Sequence, residues 1–97
     1  MPTYISLINW TEQGVANFKG TVGRADDATR AAAGMGGTIK NIYWTVGPYD
    51  IVTVTEFPDD SSATAFLLAL SSSGNVRTTS MRAFNADEMN EIVAKTG

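Results

Sequence analysis

The chain has 97 residues, seven Lys plus Arg against ten Asp plus Glu, a net charge of −3, and neither cysteine nor histidine. Those counts exclude disulfides, thiol nucleophiles, Ser-His couples and imidazole metal sites, and they disfavour nucleic acid as a partner, because phosphate binding needs clustered cations. Hydrophobic residues at 43% and charged residues at 18% fit one folded domain over residues 1–97, with a thin core that gains much from a subunit interface.

Residues 3–10 (TYISLINW) read as a strand that is apolar on both faces, with Tyr4, Ile8 and Trp10 on one side and Ile5 and Leu7 on the other. Thr11 is an N-cap, and Val15, Phe18, Val22, Ala25, Thr29 and Ala32 continue as one helical stripe. Glycines 14, 20 and 23 weaken that helix and predict a break near Gly20–Gly23. Gly34, Gly36 and Gly37 end it. Residues 38–46 (TIKNIYWTV) and 51–57 (IVTVTEF) read as two strands joined through Gly47-Pro48-Tyr49-Asp50, with Ile42, Trp44 and Val46 expected opposite Ile39 and Tyr43. Pro58-Asp59-Asp60 opens a helix with Ala63, Phe66, Leu67 and Leu70 on one face, closed by Ser71 to Gly74. Residues 75–84 (NVRTTSMRAF) form a fourth strand, and Asn85 with Glu88 predicts a capped tail helix over about 86–95. No segment resembles a signal peptide or a membrane span, so a cytoplasmic location and no membrane partner are expected.

This order predicts an α+β fold of ferredoxin-like βαββαβ type: a four-stranded antiparallel sheet, ordered 4-1-3-2, with two helices on one face and a short C-terminal helix. The helix-free face carries apolar side chains, and a second subunit is the natural cover.

With these elements in place the chain resembles the GYD-domain family over about residues 3–84. The resemblance rests on Trp10-Thr11 before Gly14, Arg24 in the first helix, Gly36-Gly37, the Gly47-Pro48-Tyr49-Asp50 hairpin, Pro58-Asp59-Asp60 and Val76-Arg77-Thr78. It implies a dimeric α+β barrel, two ferredoxin-like sheets packed face to face, and no specific activity.

Tyr49 and Asp50 offer a phenol and a carboxylate that can orient a substrate and exchange a proton, or they shape the hairpin. Arg77 and Arg82 are five residues apart and point to opposite faces, so one of them at most serves a given cavity. An arginine facing the cavity can hold a carboxylate or enolate or form an ion pair with Asp50 or Glu56, and at the expected site Arg77 pairs with Asp50, whereas Arg24 is expected on the surface. Tyr43 and Trp44, with Trp10, can stack on a flat ligand or fill sheet and interface core. The aspartate pairs lack the spacing of a calcium loop, so no metal is expected, and no cofactor is implied. Three readings stay open: a homo-oligomeric small-molecule-binding module, a cofactor-independent oxygenase or isomerase acting on a small aromatic or lactone substrate, and a purely structural assembly module.

Overall fold

The computed structural model describes residues 1–97. Thr3–Trp10 forms β1, Thr38–Trp44 β2, Ile51–Glu56 β3 and Val76–Ala83 β4, in one antiparallel sheet ordered β2-β3-β1-β4. The helices are α1 (Glu12–Ala16), α2 (Thr21–Gly34), α3 (Asp60–Ser72) and α4 (Ala86–Ala94), and a 3-10 turn over Phe18–Gly20 joins α1 to α2. The expected sheet order and the expected βαββαβ succession are both present. No helix is long and apolar enough to cross a membrane.

Two local expectations are corrected. The break in the first helix falls at Asn17–Gly20, while Gly23 lies inside α2 facing open space. Asn17 ends α1 by donating its N–H to the Gln13 and Gly14 carbonyls, and the Arg24 guanidinium donates to the Asn17 and Gly14 carbonyls from the next helix. In β2 a bulge at Lys40 shifts the register between Ile39 and Asn41. Ile39 and Ile42, expected on opposite faces, therefore lie opposite Thr55 and Thr53 on the same side of the sheet. The extra residue is not idle, since Lys40 Nζ lies 3.2 Å from Glu56 of β3.

Packing is tight at one end of the sheet and loose at the other. At the tight end Tyr4, Phe57 and Phe66 pack with Ala32 of α2 and Ala63 of α3, the Phe57 and Phe66 ring centroids lying 5.2 Å apart. Alanine at 32 and 63 lets both helices come close to the strands. Toward Ile8 and Ile51 a chamber opens between the helices and the sheet, described below. The tail helix α4 has a full capping box from Asn85 and Glu88 but makes no substantial contact with any other element. It stretches the molecule to 51 × 30 × 18 Å and a radius of gyration of 14.5 Å, against about 13 Å for a compact chain of this length.

Tyr4 couples the tight end to pH. Its hydroxyl donates to Asp60 at the start of α3, and the Arg82 guanidinium carbon lies 5.7 Å from its ring centroid. Burial, followed by the Asp60 carboxylate, pushes the phenol from 10.0 up to about 12. The folded chain thus holds this proton more tightly than the unfolded one, so the contribution is complete below pH 10 and is lost as pH rises through about 12. Alkaline unfolding followed by circular dichroism should begin in that window, and Tyr4→Phe should shift its onset to higher pH. An unchanged alkaline limb in the variant would show that Tyr4 does not govern it.

Candidate functional site

The hairpin residues are used mainly by the backbone. Asp50 accepts the Trp10 N–H on Oδ2 at 2.9 Å, donates its own N–H to the Ile8 carbonyl and accepts from the Thr45 N–H, extending the ladder beyond β3. The Tyr49 carbonyl accepts the Thr45 hydroxyl at 2.6 Å, and its half-buried ring makes no side-chain hydrogen bond. The expected Asp50–Arg77 pair is absent: the ion pairs are Arg30–Asp27 and Lys40–Glu56. Arg77 is exposed and lies opposite Asn9, so β1 stands between β4 and the strand that follows Asp50. Asp50 has the Trp10 amide as a nearer donor, which leaves it no need of an arginine.

The two aromatic candidates part company. Tyr43 lies opposite Val52 on the helix-free face and is 60% exposed. Trp44 lies on the helix side, where its indole N–H donates to the Thr21 hydroxyl at 2.9 Å and clasps β2 to the start of α2. As the odd spacing requires, Arg77 faces away from the helices while Arg82, opposite Tyr4, faces them.

The structure places a small, apolar, partly open cavity elsewhere, between the sheet and the α2–α3 layer. Its enclosed space is about 60 Å³. Ile8, Ile39, Ile42 and Ile51 line it from the strands, and Ala25, Ala28, Leu67 and Leu70 from the helices. Ser6, Thr53 and Thr55 add hydroxyls to this apolar shell, Ser6 and Thr53 being register partners across β1 and β3, while Ser80, the partner of Ser6 on β4, is exposed outside it. Ser6 and Ser80 bond to each other at 2.7 Å. Thr53 and Thr55, only 6% and 4% exposed, have no side-chain hydrogen-bond partner within the chain. No fully enclosed polar atom lacks a partner, so these two hydroxyls are open to the chamber they line. Arg24 is the only charged residue of the lining, and it also borders a wider vestibule of about 340 Å³ between α2 and α3.

Sequence reasoning missed Ser6, Thr53 and Thr55 and placed Arg24 on the surface. The signal for the threonines was present in Ile51-Val52-Thr53-Val54-Thr55, whose alternation puts valines on one face and hydroxyls on the other. What it did not say is that the hydroxyl face lies under the helices. Arg24 turns inward because α1 stops at Asn17, which brings the first turn of α2 and the α1 carbonyls together over the sheet.

Residues 4–93 match the GYD domain. The chain belongs to the GYD-domain family. No curated protein matches this GYD domain. Among solved structures it is similar to a feast-or-famine regulatory protein from M. tuberculosis complexed with L-methionine, at a TM-score of 0.67 and 14% identity over 89% of this chain and 52% of that one. It is also similar to TTHA0845 from Thermus thermophilus, at a TM-score of 0.57 and 24% identity over 89% of this chain and 96% of that one. A leucine response regulatory protein from M. tuberculosis matches at a TM-score of 0.58 and 16% identity, over 88% of this chain and 51% of that one. The GYD domain spans about half the length of the two regulators it matches. These likenesses are of fold, and they place the chain among α+β folds built on a four-stranded antiparallel sheet.

Proposed function

We propose that this GYD domain is a cytoplasmic homo-oligomer that binds a small molecule in the chamber between its sheet and its helices. Thr53 and Thr55 carry the reading. Both residues are more than nine-tenths buried, yet their hydroxyls open into the chamber with no partner from the chain, so a ligand there finds hydrogen-bonding capacity that the protein leaves unused. That a protein of the same fold is complexed with L-methionine supports the reading by analogy of fold alone. Of the earlier candidates, Trp44 stays in this proposal as the clasp at the chamber's end, and Tyr49 and Asp50 as the hairpin that fixes the neighbouring strand ends. Native mass spectrometry of the oligomer after exposure to a metabolite extract tests it. A compound retained by the wild type and lost from the Thr53→Val, Thr55→Val double variant is the expected result. No retained compound, or equal retention by both proteins, overturns it.

The oligomer half of the proposal rests on the opposite face. There the two central strands present Ile5, Leu7, Val52 and Val54, flanked by Tyr43 at 60% and Met81 at 44% exposure. An apolar centre with Lys40, Glu56 and Arg77 around it suits a twofold contact between copies better than it suits water. Val54→Glu places a charge at the middle of that contact and should give a monomer by sedimentation velocity at micromolar concentration. A wild-type chain that is already monomeric there would remove this half of the proposal and leave the chamber untouched.

A further inference from the structure

We propose that the ligand class is a short aliphatic carboxylate bearing a carbonyl or hydroxyl on its tail, with Arg24 reading the carboxylate and Thr53 and Thr55 the tail oxygen. This rests on the chamber being a binding site and goes on to name what fills it.

Charge comes first. Arg24 is the single charged side chain of the chamber, and no carboxylate of the protein pairs with it. Two carbonyls, of Asn17 and Gly14, take hydrogen bonds from Nη1 and Nη2 at 2.7 and 3.4 Å, which fixes the plane of the guanidinium and leaves further N–H groups free. Gly20 helps to make the room: a Cβ there would come within 3.2 Å of Arg24 Nη1. The start of α2 beside it has no capping side chain and no acidic residue in its first turn, whereas α1, α3 and α4 are capped by Thr11, Asp59 and Asn85. A guanidinium held in place with no carboxylate partner favours an anion. The unpartnered threonine hydroxyls are the independent sign that something polar enters the same space.

Size comes second. The enclosed space of about 60 Å³ is well below the roughly 150 Å³ of an apolar cavity that admits benzene. It takes a tail of a few carbons and is too small to enclose an aromatic ring. Arg24, Ala28, Phe66, Leu70 and Val76 border both this space and the vestibule, so the two adjoin at Arg24. A carboxylate at that junction leaves its tail directed inward, across the hydroxyl row.

The third criterion separates acids from amino acids. The chamber lining contains no Asp or Glu, and Asp27, the one carboxylate of the adjoining vestibule, is already paired with Arg30, so an ammonium group beside Arg24 finds no free counter-charge. The class therefore excludes α-amino acids, in contrast to the methionine-bound regulator of similar fold.

Four five-carbon probes distinguish these requirements on the full chain in its native assembly: 4-oxopentanoate, pentanoate, 2-pentanone and L-norvaline, titrated while amide chemical shifts of the lining residues are followed. The expected order places 4-oxopentanoate first, at least about tenfold tighter than either 2-pentanone or pentanoate, with L-norvaline without effect. Arg24→Gln should bring 4-oxopentanoate down to the level of 2-pentanone, and Thr53→Val should bring it down to pentanoate. Because Arg24 also ties down α1, the wild-type probe series is decisive should that variant misfold. Equal affinity for acid and ketone, or binding of L-norvaline, overturns the ligand class and leaves the chamber as a binding site. Absence of binding by all four probes also overturns the class, and the metabolite screen then judges the chamber by itself.

Discussion

Gly14→Ala is expected to destabilise the fold by about 3 kcal/mol, a large change for a domain of this size. A Cβ on Gly14 would lie 1.9 Å from the Asn75 carbonyl oxygen and 2.9 Å from its carbonyl carbon. The obstacle is backbone, so no rotamer change relieves it. The same carbonyl accepts the Thr11 N–H at 3.1 Å, and the Thr11 hydroxyl donates to the Gly74 carbonyl while accepting from the Gly14 N–H. Moving α1 away from Asn75 thus breaks the junction by which the end of β1 meets the start of β4. Urea denaturation should show a lower midpoint with an unchanged slope. A loss below about 0.5 kcal/mol would mean that α1 can shift freely, and the fixed position of Arg24 would then be in doubt as well.

Phe57→Ala is the second large effect, at about 3–5 kcal/mol. Phe57 is 1% exposed and touches Tyr4 and Phe66 at ring-centroid distances of 6.4 and 5.2 Å. Gly37 is shaped around it, since a Cβ there would meet the ring at 2.3 Å. With three partners built about one ring, the cavity left by truncation has little to collapse into. At about 4–8 °C per kcal/mol for a domain of this length, the melting temperature should fall by about 20 °C. Phe66, which packs on Phe57, also lines the chamber, so the fall is to be compared with and without 4-oxopentanoate. A ligand-dependent difference would show that the two ends are one cooperative unit in binding.

Most of the architecture was legible because strand alternation and helical stripes are local signals. Residues 3–10 announced a two-sided strand, and Asn85 with Glu88 announced the capped start of α4, both without help from distant parts of the chain. The failures have a common cause, which is that the deciding partner lies far away in sequence. Asp50 finds its donor at Trp10, 40 residues earlier, so no reading of the Gly-x-Tyr-Asp turn alone could show its carboxylate already engaged. The bulge at Lys40 shows only in the pairing of β2 with β3 and leaves no mark within β2 that distinguishes it from a regular strand. The candidate site suffered most from this. Its hydroxyls look like ordinary strand threonines until the α2–α3 layer is placed above them and stops short of touching.

Threonine and valine have nearly the same shape, so β3 could carry valine at 53 and 55 with no change in backbone or packing outline. A strand chosen for stability alone would do so, because the methyl group needs no partner beneath the helices. In the proposed reading the hydroxyls at these two positions serve what enters the chamber and not the packing of the fold. If the chamber binds as proposed, the demands of the fold and of the chamber differ in β3 by a single oxygen atom on each of these two side chains.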